Sequence, residues 1–452
     1  MPVKSYLNSI KTEINNINPV KIKGKVHAIT GMMIEAVGLA SFASQGSICK
    51  IHLSTNDKLN NKNNYILAEV VGFKKNLTML MSFSDLDGVC CGDIIEILNH
   101  ENGIYPDNSW IGRIVNAFGD PIDDKGKINL GNELYNLKKT PPPPHKRTRI
   151  GGKISLGIKS IDLFTSCCYG QRMGIFAGSG VGKSVLVSML TRFADTDIKV
   201  IGLIGERSRE AKEFIEDYLG EEGLKKSVII MATGDESPLM RKRACYTTMA
   251  VAEYFRDQGK KVLCIMDSVT RFAMAQREIG LASGEPPTSK GYPPSVFAEL
   301  PKILERAGPG ISDNSSITGI FTVLVDGDDH NEPISDAVRG ILDGHIILDR
   351  SIASRGRFPA IDILNSVSRA VPGCNSDLEN KQVNFVRKML TIYNDMSDMI
   401  RLGAYRKGSN KEVDQAIDYY NKIEEFLKQN PNESMDIKDS FNKLGEITKI
   451  KE

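Results

Sequence analysis

The chain of 452 residues predicts an α/β protein centred on a doubly wound parallel sheet, with a small β-barrel before it and helices after it. Its punctuation carries this reading in each region. Apolar strand-like runs alternate with helix-like runs from Ile150 to about Val371, the order that builds a parallel sheet with helices on both faces. Val20 to Leu98 is a series of short β-like runs between Gly, Asn and Asp clusters such as Asn60-Asn61-Lys62-Asn63-Asn64, the rhythm of a small barrel. Beyond Pro372-Gly373 the apolar residues recur at helical spacing.

Taken in order, residues 1–18 form an amphipathic helix with Leu7, Ile10, Ile14 and Ile17 on one stripe. Its polar face carries Lys4, Lys11, Glu13 and Asn15. So short a helix is marginal alone and must pack, either on its own domain or on a partner helix. Met1 to Asn8 leads into polar sequence without an apolar core, so no secretory signal is expected. Residues 19–100 are the barrel domain. Its most apolar stretch, Ala28 to Ala43, contains Glu35, Gly31 and Gly38 and falls short of the ~20 apolar residues a spanning helix needs. It reads as two strands around turns. Residues 101–149 connect, and Pro141-Pro142-Pro143-Pro144 makes a stiff linker within them. Residues 150–371 are the nucleotide-binding unit. Residues 372–452 are helical, with Val383, Val386, Leu390 and Ile392 on one stripe and Ile417, Tyr420, Ile423 and Phe426 on another.

Composition excludes several classes. A hydrophobic content of 41% and a charged content of 25% are ordinary for a soluble globular enzyme. With Lys+Arg 58 against Asp+Glu 56, no global field favours nucleic acid. The 8 cysteines include the adjacent pairs Cys90-Cys91 and Cys167-Cys168, neither with zinc spacing, and are expected as reduced thiols, mostly small core residues.

The chemistry gathers at strand ends. Gly178-Ser179-Gly180-Val181-Gly182-Lys183-Ser184 follows an apolar run, Met173 to Ala177, and precedes a helix-like run, Val185 to Leu190. Small residues there let backbone N–H groups converge on the α- and β-phosphates of a nucleotide. Lys183 reaches the β- and γ-phosphates, and the Ser184 hydroxyl ligates Mg²⁺. Ala177 stands where the strict pattern has glycine. Lys261 to Met266 reads as a buried strand closing on Asp267, which puts a carboxylate at the C-terminal edge of the sheet. Asp267 is therefore the Mg²⁺-side acid, acting through the metal's water or through Ser184. Val200 to Ile204 runs into Gly205-Glu206-Arg207-Ser208-Arg209-Glu210. Glu206 is the candidate to orient and polarise an attacking water, Arg207 to pair with a phosphate oxygen, and Glu210 to open a helix.

The segments Gly205 to Glu210 and Asp267-Ser268-Val269-Thr270-Arg271-Phe272-Ala273 resemble the catalytic subunits of rotary ATP synthases and their secretion relatives. So do Gly284-Glu285-Pro286-Pro287, Gly291-Tyr292-Pro293-Pro294-Ser295-Val296 and Pro359-Ala360-Ile361-Asp362-Ile363-Leu364-Asn365-Ser366-Val367-Ser368-Arg369. The matching blocks run from about Trp110 to Arg369. Within that superfamily the loop Gly178 to Ser184, the segment Val325 to Pro333 and the segment Ile341 to Arg350 resemble the flagellar and type III secretion branch, above all the flagellar export ATPases.

The resemblance implies a RecA-like fold and Mg²⁺-dependent hydrolysis of ATP to ADP and phosphate by a homo-hexameric ring that energises protein export. It implies a cytoplasmic enzyme, peripheral at the cytoplasmic face of the inner membrane. It also implies a stator-like regulatory protein on the N-terminal helix, a central stalk protein, export-gate membrane proteins, and export chaperones with their cargo. Nucleic acid is not among these partners. By the same resemblance Glu206 is the catalytic glutamate and Arg207 a phosphate-facing arginine. Arg369 reaches a neighbouring subunit's nucleotide, and Phe358 stacks on adenine. Leu324 replaces an aromatic of the synthase pattern.

Three alternatives stand beside this reading. An injectisome ATPase shares these blocks. A non-catalytic nucleotide-binding subunit of a rotary synthase lacks the strand-end glutamate that Glu206 supplies. An RNA-translocating hexameric motor needs stacking aromatics in a basic groove, whereas Val20 to Leu98 offers Phe42, Tyr65, Phe73 and Phe83 without an aromatic–basic motif.

Overall fold

A computed structural model describes residues 21–54, 64–98, 102–325, 327, 329 and 332–450. The helix expected over residues 1–18 lies outside the described residues, as does most of the cluster Asn60 to Asn64.

The first unit is a closed barrel of β1 (Lys23–Thr30), β2 (Met33–Val37), β3 (Ile48–His52), β4 (Tyr65–Lys74), β5 (Leu77–Ser82) and β6 (Ile94–Leu98), in the order β1-β2-β5-β4-β3-β6. Side chains alternate across each strand. On β4, Ile66, Ala68 and Val70 point inward and are buried. They join Ile34, Ile51, Leu80 and Ile95 in one core. The apolar stretch Ala28 to Ala43 does become the end of β1, a turn and β2. Closure removes exposed strand edges, which suits strands this apolar.

The central sheet has nine strands. It comprises β7 (Ile114–Val115), β8 (Arg172–Ala177), β9 (Ile198–Ile204), β10 (Ser227–Ala232), β11 (Lys261–Asp267), β12 (Ser316–Leu324), β13 (Gly344–Leu348) and β14 (Ile361–Ser368), with the two-residue strand Gly308–Pro309 as the ninth. Their order is β14-β13-β8-β12-β11-β9-β10-β7, with Gly308–Pro309 pairing at the side of β12. All neighbours run parallel except β14 on β13 and Gly308–Pro309 on β12. Every residue of β9 is buried, as expected of a parallel strand covered on both faces. Alternate residues serve opposite cores: Val200, Ile204, Cys264 and Met266 face one, and Ile201, Leu203, Leu263 and Ile265 face the other. The second core receives α1 (Lys183–Phe193) through Leu186, Val187, Met189 and Leu190. The first receives α2 (Pro238–Asp257) and α3 (Val269–Ala282).

The chain ends in α5 (Asp377–Arg401), α6 (Lys411–Leu427) and α7 (Ile437–Thr448), after a short α4 (Arg350–Ser354) inside the catalytic unit. Ser376 and Glu379 cap α5 reciprocally, satisfying two backbone donors that no helical partner reaches. Val383, Val386 and Leu390 are buried there, as the spacing predicts, but Met389 takes the buried place expected of Ile392, which is only partly buried. On α6 the buried line shares only Ile423 with the expected one, and Ile417 is half-buried. The buried line runs Val413, Ala416, Ile423 and Leu427. Tyr420 and Phe426 lie on its flank instead, each held by a polar or ring contact that a core position lacks. Tyr420 stacks on Tyr393 with ring centroids 3.6 Å apart, and Phe426 lies beneath the Lys159 ammonium. All eight cysteines are free, and five of them are buried. Among the described residues no helix is long and apolar enough to cross a membrane.

Candidate active site

Sheet order places β8 between β12 and β13, so the loop leaving β8 emerges mid-sheet at the carboxyl edge, where α/β sheets bind ligands. Ala177 ends β8 in extended backbone, in register with Leu324 and Leu348, so glycine is not required there. Gly182 is different. Its φ is +90°, and it is the residue from which α1 starts, a conformation an L side chain resists. The N-terminus of α1 thus opens directly onto the loop, with its free N–H groups and the positive end of its dipole available to an anion.

Three strands then deliver three side chains to one point. Lys183 Nζ donates to Glu206 Oε1 at 2.8 Å and to Asp267 Oδ1 at 2.5 Å. Lys183 opens α1 after β8, Glu206 lies two residues past the end of β9, and Asp267 ends β11. Gly205 makes the turn that exposes Glu206. Its φ is +68°, and a β-carbon there would lie 2.8 Å from Arg271 Cβ. Asp267 is oriented from the adjacent strand, where Thr322 Oγ1 donates to its Oδ1 at 2.6 Å. Burial opposes the Lys183 charge, but Asp267 and Glu206 outweigh it, and the ammonium's pKa is raised. For Glu206 burial dominates and raises the carboxyl above its ordinary value, against the pull of Lys183 and with the help of Asp267.

The remaining residues of the expected site are placed as follows. Gly178 to Val181 form the loop itself, and Ser184 follows Lys183 in the first turn of α1. Phe358 is 46% exposed and so is not a core aromatic. Its ring lies beside the loop, 3.6 Å from where a Gly182 β-carbon would stand. A cavity of about 350 Å³ opens there, lined by Gly182, Val185, Met189, Phe358, Gln429 and Pro431 among others. Its size and apolar lining suit a planar base. A larger cavity of about 730 Å³ lies beside Tyr393 and Tyr420 and includes none of the phosphate-site residues.

Two expected residues are not brought to the cluster. Arg207 caps the helix that starts at Ser208. Its side chain is 84% exposed and pairs with Glu210 at 3.5 Å. Arg369 lies at the opposite edge of the sheet. Ser368 pairs with Gly344, and Gly344 with Met173. The Arg369 N–H donates to Asp343 O, and Asp343 also holds the backbone N–H of Arg172, where β8 begins. From there to the loop is roughly 16 Å along β8, at about 3.3 Å per residue.

Sequence reasoning missed Thr322, Arg350 and Gln429. Thr322 stands two residues before Leu324 on β12. Arg350 donates to the loop carbonyl of Ser179 at 3.3 Å. Gln429 enters from the C-terminal helices. No sequence signal marks Thr322, which the register of β12 on β11 brings to Asp267, or Gln429, whereas Arg350 closes the segment Ile341 to Arg350 that carries part of the resemblance.

Residues 157–368 match the family model described as ATP synthase alpha/beta family, nucleotide-binding domain. Residues 376–446 match the model described as T3SS EscN ATPase C-terminal domain. The chain is 50% identical over 446 residues to a flagellum-specific ATP synthase of Caulobacter vibrioides, covering 98% of this chain and 99% of that one. It is 46% identical over 425 residues to the Bacillus subtilis protein of the same name, covering 94% and 95%. Among solved structures it is similar to the assembled ATPase EscN of the enteropathogenic E. coli type III secretion system, with a TM-score of 0.87 and 38% identity over 94% of this chain and 100% of that one. It is also similar to EscN in complex with its central stalk EscO, with a TM-score of 0.84, 38% identity and the same coverage.

Proposed function

Since the chain belongs to the flagellum-specific ATP synthases, a branch of the ATP synthase alpha/beta family, we propose how its own residues carry out the family's reaction. It is an ATPase that energises type III export, and relatives at 40% to 50% identity favour flagellar duty over the alternatives. The observation that carries the residue roles is the Lys183 ammonium held between Glu206 and Asp267.

Lys183 is the charge that the nucleotide takes over. When the β- and γ-phosphates enter the loop they offer Lys183 new anionic partners, and Glu206 is released to accept a proton. The residues present fit Mg²⁺: the Ser184 hydroxyl, a hard oxygen donor, would ligate it, and the Asp267 carboxylate would hold it through its water or through Ser184. When bound, the metal neutralises charge on the phosphate oxygens. Glu206 orients one water in line with the γ-phosphorus. The water oxygen bonds to phosphorus, the bond to the ADP oxygen breaks, and Glu206 holds the water's proton. Arg207 joins by rotating its exposed side chain inward. Arg369 completes the site of a neighbouring copy, and Phe358 stacks on adenine.

A single chain with both the loop and the trans arginine requires head-to-tail copies, consistent with a homo-hexamer like the assembled EscN relative. A central stalk partner is supported by the EscN–EscO complex. The regulatory protein on the N-terminal helix, the export gate, chaperones and cargo, and peripheral attachment to the cytoplasmic face of the inner membrane belong to the same proposal and rest on resemblance. Phosphate release from Mg-ATP by the purified protein tests the reading. Loss of release in Lys183→Ala supports it, and turnover surviving that change overturns the assignment.

A further inference from the structure

We propose that Gln429 is a positioning residue for the adenine end of the ATP site. It ties the Lys428–Pro431 segment to the catalytic unit, and it acts on the base while leaving the phosphates alone. The inference rests on the reading of the cavity beside Phe358 as the base pocket.

That cavity has two walls. Gly182, Val185, Met189 and Phe358 form one, and Lys428, Gln429, Asn430 and Pro431 form the other. The second wall joins α6 to α7 and pairs with no strand, so side-chain ties set its position. Three of them come from Gln429, which is itself only 5% exposed. Its Oε1 accepts from the Lys159 N–H at 3.0 Å. Its Nε2 donates to Gly157 O at 2.7 Å and to Glu433 O at 2.8 Å. Its own backbone N–H donates to Phe358 O at 2.9 Å. One buried residue thus fastens the segment through its side chain to the start of the catalytic unit and through its backbone N–H to the residue carrying the stacking ring.

The neighbours reinforce this knot. Lys159 is nearly buried, and its Nζ donates to Phe426 O at 3.1 Å and Lys428 O at 2.8 Å while pairing with Glu433 at 3.2 Å. Arg192 of α1 donates to Pro431 O at 2.6 Å and to Asn432 Oδ1 at 2.9 Å. These bonds hold the far side of the segment. Removing the Gln429 amide leaves the buried Lys159 N–H without its acceptor and Gly157 O with only the longer bond from the Met435 N–H at 3.4 Å, so the segment must shift or admit water. Either change loosens the base wall. The phosphate loop, anchored by β8 and α1, stays where it is.

Steady-state kinetics on Gln429→Ala and on Gln429→Met, which keeps the volume but removes the polar ties, test this. KM for ATP is expected to rise about tenfold in both, with kcat within about twofold of wild type. Tripolyphosphate carries no base, so its inhibition constant should not move. Combined with Phe358→Ala, either change should raise KM by less than the product of the single effects, because both act on one contact. An unchanged KM in folded Gln429→Met, an equal loss of tripolyphosphate affinity, or full additivity with Phe358→Ala would each overturn the proposal. A failure of the underlying base-pocket reading shows differently: Phe358→Ala by itself would leave KM for ATP unchanged.

Discussion

Arg369 and Lys183 lie at opposite edges of the same sheet. The Arg369 N–H bonds to Asp343, beside the first residue of β8, whereas Lys183 opens α1 beyond the loop at the other end of that strand. The antiparallel register of β14 on β13 enforces this separation. A single chain therefore presents a phosphate loop on one edge and an exposed arginine on the other, the arrangement a ring needs if each copy completes its neighbour.

Arg369→Ala should bind ATP nearly normally and lose turnover by roughly 10³–10⁵, the usual worth of an arginine finger. Specific activity of the wild type should rise with protein concentration. Mixing Arg369→Ala with Lys183→Ala should restore some activity, because some interfaces then pair an intact loop with an intact arginine. Activity independent of concentration, with no rescue in mixtures shown to co-assemble, would place Arg369 in a structural role.

Glu206→Gln preserves shape but not basicity. It should retain Mg-ATP binding while phosphate release falls roughly 10²–10⁴-fold. Nucleotide affinity and phosphate release, measured on the same preparation, separate the two. Turnover within about threefold of wild type would remove Glu206 from the mechanism.

Glu206 also sets a pH dependence. A base works only when deprotonated, and burial holds this carboxyl above its ordinary value, with Lys183 opposing and Asp267 and Glu210 assisting. The acid limb of kcat/KM, which reports the free enzyme, should therefore fall at a pH above that of an ordinary glutamate, about 4.3. Residual activity of Glu206→Gln should lack this limb. A wild-type profile flat down to the ordinary glutamate range would contradict the buried pair.

Stability concentrates in a second ion pair. Arg306 and Glu253 are each 1% exposed and meet through two bonds, at 2.9 and 2.8 Å. Arg306 also donates to Leu137 O at 2.5 Å, tying the connecting segment to the first core. Glu253→Ala strands the guanidinium in the interior and should cost about 3–5 kcal/mol. Urea unfolding checks this, and a loss under about 1 kcal/mol would mean that water relieves the charge.

Much of the site was legible because its signals are local. Gly178 to Ser184 declare themselves by small residues between a strand-like run and a helix-like run. Glu206 and Asp267 declare themselves by closing apolar runs, which parallel strands produce when both faces are covered. The meeting of Lys183, Glu206 and Asp267 at one point was decided by the order of β8, β11 and β9 in the sheet. Thr322 behind Asp267, Arg350 on the loop and Gln429 on the base wall came only with long-range packing, as did the outward turn of Arg207 and the far-edge position of Arg369. The physical reason is one of range. Propensity, periodicity and loop chemistry act over a few residues and are written along the chain. Register and domain docking depend on how side chains far apart in sequence fit together, and only the folded chain brings those side chains into contact.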